Sequence, residues 1–147
     1  MTKSSDLLTD SPFEQMEAVL RELKNAKKAA LKEKKIDLTQ DQWDVIKCIS
    51  ELENPNQSAI AAATHKDPAA ITRMIDLLVK KELVQRKEEK SDKRAYLVKL
   101  TRKGAGLVRR IGPLEEKIFA SALAEVSDRD LKTIRRIAGK IIDGVAE

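Results

Sequence analysis

The chain has 147 residues, of which 41% are hydrophobic and 36% charged, and its formal net charge is +5. This length fits one globular domain, and no apolar run approaches the roughly 18 residues of a membrane span. A single cysteine excludes an internal disulfide framework and the usual zinc sites, and it favours a reducing, cytoplasmic location. Five glycines and four prolines disfavour an all-β fold with many turns.

The first elements are a tail and a long helix. Residues 1–11 are predicted to form a polar, flexible tail, and a helix is predicted from Pro12 to about Lys35. Apolar residues recur along it at helical spacing and predict one buried face made of Phe13, Met16, Leu20, Leu23 and Ala30.

The next three helices carry start signals. Thr39 and Gln42 have the spacing of a capping box, in which each side chain bonds the other backbone amide. This helix has a predicted core stripe of Trp43, Ile46, Ile49 and Leu52. Asn56 can cap a short third helix. Asp67 followed by Pro68 marks the start of a fourth, Asp67–Lys81, whose predicted buried anchors are Ile71, Ile75 and Leu78.

A hairpin and two more helices complete the chain. The runs "LVQRK" and "AYLVKLT" predict two strands, and the second alternates with a period of two. Thr101 can cap the long helix that follows, and Ser127 can cap the last one. The last helix carries an apolar seam of Leu131, Ile134, Ala138, Ile141 and Val145.

The positive charge is concentrated in the middle of the chain. Residues 56–104 contain 12 Lys or Arg against 6 Asp or Glu, whereas the remainder has 17 against 18. A basic segment of this kind is typical of a nucleic-acid-binding surface, although an excess this small also occurs on ordinary solvated surfaces.

Within this basic segment, a short helix, a tight turn, an alanine-fronted helix and a hairpin form a winged helix-turn-helix pattern. Three stretches carry a family resemblance: "LTQDQW", "IAAATHKDPAAITRMIDLLVKKELVQR" and "SDKRAYLVKLTRKG". Through these three stretches the chain resembles the MarR (multiple antibiotic resistance regulator) family of transcription regulators. The expected fold is mainly α: a winged helix-turn-helix with a two-stranded β-wing, flanked by N- and C-terminal dimerisation helices.

The resemblance implies how the chain is organised and what it binds. Residues 12–147 would form one MarR-like domain, with dimerisation helices at 12–36 and 105–147 and a DNA-binding lobe at 38–104. A homodimer would bind a pseudo-palindromic operator in double-stranded DNA, because one module reads too few bases. The family also implies a repressor that a small anionic or aromatic effector relieves, at a ligand site that the sequence leaves unknown.

The DNA-contacting residues are predicted in three groups. The N-terminal half of the fourth helix would enter the major groove with Pro68, Ala69, Ala70, Thr72 and Arg73, of which the Arg73 fork suits guanine. Phosphate contacts are expected from Gln57, Ser58 and Lys66. The wing is expected to use Lys90, Asp92, Lys93 and Arg94, with Arg94 in an adjacent minor groove.

Other residues favour structural roles. Cys48, beside Ile46 and Ile49, is predicted to be packed rather than redox-active. His65 is predicted to belong to a turn or to lie next to a phosphate rather than to bind a metal. Glu82 stands where the family usually has glycine, and a left-handed backbone there would cost about 1 kcal/mol.

Function classes outside DNA binding have less support. We expect no catalytic residues, no metal and no cofactor, because phosphate loops and nucleophile–base pairs are missing from the sequence. Two alternatives stay open: a winged-helix protein–protein interaction module without specific DNA binding, and an enzyme of undetected type.

Overall fold

A computed structural model describes residues 11–89 and 92–146, with side chains described for all of these except residue 89 and residues 92–95. This part of the chain contains six helices and two strands in the predicted order. They are α1 (Pro12–Glu33), α2 (Gln40–Glu51), α3 (Gln57–Thr64), α4 (Pro68–Lys80), β1 (Val84–Glu89), β2 (Asp92–Leu100), α5 (Arg102–Ala122) and α6 (Asp128–Ala146). The predicted fold class, a mainly α winged helix-turn-helix with a two-stranded wing and long terminal helices, is confirmed. The predicted tail at 1–11 lies outside the described residues except for Ser11.

The predicted helix starts are confirmed by their hydrogen bonds. The Thr39 hydroxyl accepts from the Gln42 amide at 3.1 Å, and Gln42 Oε1 accepts from the Thr39 amide at 3.0 Å. Asn56 Oδ1 accepts from the Ala59 amide at 2.8 Å, and the Thr101 hydroxyl accepts from Gly104 at 3.1 Å. These side chains satisfy amides that the first turn of a helix leaves without a backbone partner.

The hydrophobic core lies in the lobe formed by α2, α3, α4 and the hairpin. Its fully buried side chains are apolar and come from every one of these elements: Val45, Ile46, Ile60, Ile71, Ile75, Leu78 and Val98. Cys48 is buried among them, so its predicted packing role is confirmed. Burial, with a smaller contribution from Glu51, raises the pKa of the Cys48 thiol, which lowers its reactivity.

The prediction that one apolar face of α1 is buried is wrong for the single chain. Phe13, Met16 and Leu20 are exposed, and Leu31 is the buried apolar residue of this helix. The helical period correctly grouped these residues on one face, but the chain's own core does not cover the N-terminal half of that face.

Two helix ends also differ from the sequence interpretation. Helix α1 ends at Glu33 rather than near Lys35, because Lys35 has a left-handed backbone with φ 55°. Leu52 was predicted to belong to the core stripe of α2. It is instead the extended C-cap residue of that helix, with its side chain 37% exposed.

A buried carboxylate joins three helices. Glu115 of α5 is 6% exposed and accepts a 2.8 Å hydrogen bond from Trp43 Nε1 of α2. Its carboxylate also contacts the ammonium groups of Lys47 and, at 3.3 Å, Lys27 of α1. Burial opposes ionisation, but the Lys47 and Trp43 donors and the Lys27 charge outweigh it, so the pKa of Glu115 is lowered.

The turn from α4 to β1 is left-handed at Glu82, with φ 61°. This confirms the prediction that glutamate occupies a position suited to glycine. The Glu82 carbonyl accepts a hydrogen bond from the Thr101 hydroxyl at 2.6 Å, which ties this turn to the start of α5.

None of the helices described is long and apolar enough to cross a membrane.

Candidate nucleic-acid interface

One face of helix α4 is apolar and fully buried, and this fixes the rotation of the helix about its own axis. Asp67 caps the helix, its carboxylate accepting from the Ala70 amide at 3.2 Å, and Pro68 occupies the first position. The three core anchors Ile71, Ile75 and Leu78 have no exposed surface. The opposite face is therefore presented outward, and it carries the predicted contact residues: Pro68, Ala69, Thr72 and Arg73 are exposed and Ala70 is half-buried.

The turn before α4 makes the α3–α4 pair a helix-turn-helix. His65 ends α3 with φ 55°, and Lys66 and Asp67 lead directly into α4. His65 thus has the predicted turn role. In the ranges 11–89 and 92–146 no group of three or more potential metal ligands occurs.

A chain of hydrogen bonds connects α3, α4 and the wing. Gln57 Nε2 donates to the Thr72 hydroxyl at 3.0 Å, and Arg86 Nε of β1 donates to Gln57 Oε1 at 3.2 Å. Arg86 Nη2 also contacts Asp76 Oδ1 of α4 at 2.6 Å. Two predicted contact residues, Gln57 and Thr72, are thus bonded to each other, and Arg86 holds the base of the wing against α4.

Arg86 was missed from the sequence, although a signal for it existed. Val84 is buried, and residues two apart on a strand share a face, so Arg86 points toward the body of the lobe. A cation on that face needs partners from the neighbouring helices, and the structure supplies Asp76 and Gln57.

The wing is an antiparallel hairpin with a bulge near its tip. Pairing runs from Val84–Leu100 to Glu88–Tyr96, and an irregularity precedes the pairing of Glu89 with Asp92. The base of β2 is attached to the α2–α3 connection, since the Val98 amide donates to the Pro55 carbonyl at 2.8 Å.

Of the four predicted wing residues, the structure describes the backbone of Asp92, Lys93 and Arg94. Lys90 lies outside the described residues, as do the side chains of Asp92, Lys93 and Arg94. The backbone places the last three at the start of β2, next to the hairpin tip.

The predicted phosphate contacts differ in their surroundings. Ser58 is exposed at the start of α3. Lys66 is half-buried and forms an ion pair of 3.1 Å with Asp41 of α2. Because exposed ion pairs contribute only about 0.2–1 kcal/mol, Lys66 can exchange this partner for a phosphate at small cost. No carboxylate among the described side chains lies within ion-pair distance of Arg73.

Comparisons with known proteins agree with this geometry. The MarR family model matches residues 38–96, the segment from the start of α2 to the wing. An uncharacterised HTH-type transcriptional regulator of Bacillus subtilis, YhbI, is 27% identical over 114 residues, covering 76% of this chain and 74% of YhbI.

Two solved structures share the fold over nearly the whole chain. One is a mutant MarR from E. coli complexed with operator DNA: TM-score 0.81, 22% identity, covering 95% of this chain and 99% of that one. The other is the S. aureus MepR–DNA complex: TM-score 0.82, 17% identity, covering 90% and 97%. Residues 38–96 are thus similar to the MarR family model, and nearly the whole chain is similar in fold to MarR of E. coli and MepR of S. aureus.

Proposed function

We propose that the chain is a transcription regulator that binds specific sites in double-stranded DNA as a homodimer. The main support is the face of α4 that carries Ala69, Thr72 and Arg73, presented outward beside the wing and fixed by buried anchors on the other side. A rigid helix with small residues at its start and an Arg one turn later suits the major groove.

Residues 12–147 would form one domain, and residues 38–104 would be its DNA-binding lobe. In it, Pro68 to Arg73 would meet base edges and Gln57, Ser58 and Lys66 would meet phosphates. Lys90, Asp92, Lys93 and Arg94 would act at the wing, with Arg94 entering the minor groove and Asp92 orienting a neighbouring cation. The hydrogen bonds that Gln57 donates to Thr72 and accepts from Arg86 support a shared orientation for the base-contacting and phosphate-contacting residues.

The dimer is supported by the exposed surface of the single chain. Its accessible area is 11255 Å² for a mass of 16.5 kDa, whereas a monomeric globular protein of that mass exposes about 7,600 Å². Residues 1–10 could account for at most about 1,600 Å² of the excess, the area that ten unfolded residues expose, which leaves about 2,000 Å² per chain. Two chains together would then bury about 4,000 Å², within the total of roughly 2,000–5,000 Å² that obligate homodimers bury.

The apolar groups that would form this interface lie on the terminal helices. Exposed large hydrophobic residues of α1 and α6 include Phe13, Val19, Leu20, Ile134 and Val145. A groove of about 620 Å³ between α1 and α5 is lined by Leu23, Ala26, Leu114 and Ile118. A second copy of the chain would cover these faces, in the ranges 12–36 and 105–147.

The family resemblance supports the remaining parts of the proposal. The regulator would be a repressor in the cytoplasm, relieved by a small anionic or aromatic effector, and it would have no catalytic activity. Its operator would be pseudo-palindromic, with half-sites about one helical turn apart.

Titration of duplex DNA tests the proposal. Genomic fragments retained by the purified protein are sequenced, and affinity for the preferred site is measured by fluorescence anisotropy at several salt concentrations. Affinity is expected to fall steeply with salt. Arg73→Ala should lose about 1–3 kcal/mol and relax the preference at one base position.

Arg129→Ala is the matched control, because Arg129 is exposed in the first turn of α6. It should bind like the parent. A parent that binds preferred and scrambled duplexes equally, or an Arg73→Ala protein as tight and selective as the parent, would contradict the proposal and favour a protein–protein interaction module.

A further inference from the structure

A second charged site lies away from the proposed DNA contacts. A cavity of about 240 Å³ forms where α1 ends, α4 ends and α5 begins. Its apolar lining is Ile36, Leu83 and Leu107, of which the first two are buried. The other lining residues are all charged: Lys35, Asp37, Lys81, Lys103 and Arg110.

The charges around this cavity are unbalanced. Four cations face one carboxylate, and the Asp37 side chain is fully exposed, with its Oδ2 3.7 Å from Lys81 Nζ. Water screens such an exposed pair. The C-terminal ends of α1 and α4 contribute about −0.5 charge each and the N-terminal end of α5 about +0.5, so a net charge of about +2.5 remains at the cavity.

Backbone carbonyls hold three of the cations in place without neutralising them. Lys81 Nζ donates to the Asp37 carbonyl at 3.2 Å, and Lys103 Nζ donates to the Lys81 carbonyl at 3.1 Å. Arg110 Nη2 donates to the Lys34 carbonyl at 3.4 Å. An ammonium has three donors and a guanidinium five, so each group retains further N–H donors for a ligand.

The first turn of α5 adds an independent observation. Arg102 and Lys103 occupy this turn, which contains no acidic residue. The helix dipole favours acidic side chains at such positions, and cations there reduce helix stability by several tenths of a kcal/mol. The stability of α5 alone therefore does not account for this placement: Lys103 donates to the carbonyl at the C-terminal end of α4, and its remaining N–H donors can also bind an anion.

We propose that this cavity binds a compact anion with at least two negative charges, such as a small phosphorylated molecule. About eight waters fill the same volume, so a phosphoryl group with a short apolar body fits and a duplex does not. Lysine ammonium groups bind phosphate as point charges, and the Arg110 guanidinium can donate to two oxygens of the phosphate. None of the cavity residues belongs to the proposed DNA interface, so the site goes beyond that function.

Isothermal titration of the full chain with sodium pyrophosphate tests the site, at an ionic strength held constant with sodium chloride. Saturable binding of one anion per chain is expected. Lys103→Gln and Arg110→Gln should each weaken it about tenfold, because each removes a charged hydrogen-bond donor. Arg109→Gln removes an exposed cation of the same helix that does not line the cavity, and it should change the binding less than about twofold.

Asp37→Asn provides a test that misfolding cannot mimic. Removing the single lining carboxylate should strengthen pyrophosphate binding several-fold. A parallel titration with succinate distinguishes the source of the charge: weaker binding than pyrophosphate supports a phosphoryl ligand, and equal binding supports selection for dianions in general. Absence of saturable binding up to about 10 mM pyrophosphate would overturn the proposal. Equal weakening by Lys103→Gln and Arg109→Gln would also overturn it.

Discussion

At the scale of single residues, Arg86 connects three elements of the proposed DNA-binding face through contacts within the chain. Its guanidinium bonds Gln57 of α3 and Asp76 of α4 while its backbone pairs with Val98 in the wing. The planar fork of arginine suits two partners at once, and lysine offers a single charged centre. Arg86 is therefore a positioning residue for the proposed DNA-binding face.

Replacing Arg86 by Lys should lower affinity for the preferred duplex about tenfold, because the orientation of α4 relative to the wing loosens. The number of phosphate contacts is unchanged, so the slope of log affinity against log salt should stay as in the parent. Anisotropy titrations at four salt concentrations measure both quantities. Lys87→Arg, an exposed change on the next residue, is the control, and a reduced slope in Arg86→Lys would show that Arg86 contacts phosphate itself.

Sequence reasoning identified some residues and missed others for a physical reason. Caps such as Thr39, Asn56 and Asp67 were predicted because a capping bond joins residues only three apart. The Arg86 contacts with Gln57 and Asp76 join residues 29 and 10 apart, across three elements. Their existence depends on tertiary packing, which no local pattern encodes.

At the scale of elements, the start of α5 is packed directly against the turn after α4. A Cβ added at Gly104 would lie 2.1 Å from the Leu83 carbonyl oxygen, so any other residue forces the backbone apart. This explains the glycine in the "LTRKG" helix start that carries the family resemblance. At Gly106, two residues later, the nearest atom to an added Cβ is 3.9 Å away.

Gly104→Ala should therefore destabilise the protein by about 1–3 kcal/mol through overpacking. Gly106→Ala, its matched control, should stabilise it by about 0.5–1 kcal/mol, because alanine favours a helix interior and nothing is displaced. Urea unfolding followed by circular dichroism at one protein concentration measures both. Equal effects of the two substitutions would contradict the close approach between Leu83 and α5.

Glu115, with its partners Trp43, Lys47 and Lys27, links the packing of α1, α2 and α5 to pH. Because the folded-state pKa of Glu115 is lowered, its ionised form adds stability that is present at neutral pH. That stability is lost as the pH falls through the lowered value, below the ordinary range for glutamic acid.

Glu115→Gln should be less stable than the parent by about 2 kcal/mol at pH 7, and the difference should shrink as the pH falls below about 4. Urea unfolding of the two proteins at pH 7 and at a pH below about 4 measures the difference in their free energies of unfolding. Glu116→Gln is the control, since Glu116 is exposed on the same helix. A constant difference between Glu115→Gln and the parent at both pH values would show that the carboxylate charge does not stabilise the fold.

At the scale of the whole molecule, helical periodicity has a limit that α1 and α6 illustrate. The pattern of Phe13, Met16 and Leu20 identified one apolar face, and the single chain leaves that face exposed. Periodicity shows which residues share a face, but whether the same chain or a second copy covers it depends on the tertiary arrangement.

Ile134→Asp tests whether a second copy covers α6. Ile134 is 58% exposed in the single chain, and a dimer would bury it once per chain. Two buried aspartates should raise the dimer dissociation constant at least about a hundredfold, since each lost apolar contact costs about 1.5–3 kcal/mol. Sedimentation equilibrium measures it, with the exposed Lys132→Asp as the control. An unchanged constant for Ile134→Asp would place the interface elsewhere.

The left-handed backbone of Glu82 bears on how this molecule can evolve. Glycine would adopt φ 61° without the penalty of about 1 kcal/mol that a Cβ imposes. Glutamate and glycine codons differ at their middle base alone, so one point mutation leads to a more heat-resistant variant. The gain would offset one typical destabilising substitution elsewhere, so descendants carrying it could accept a further change, for example among the residues of α4 that we propose contact DNA.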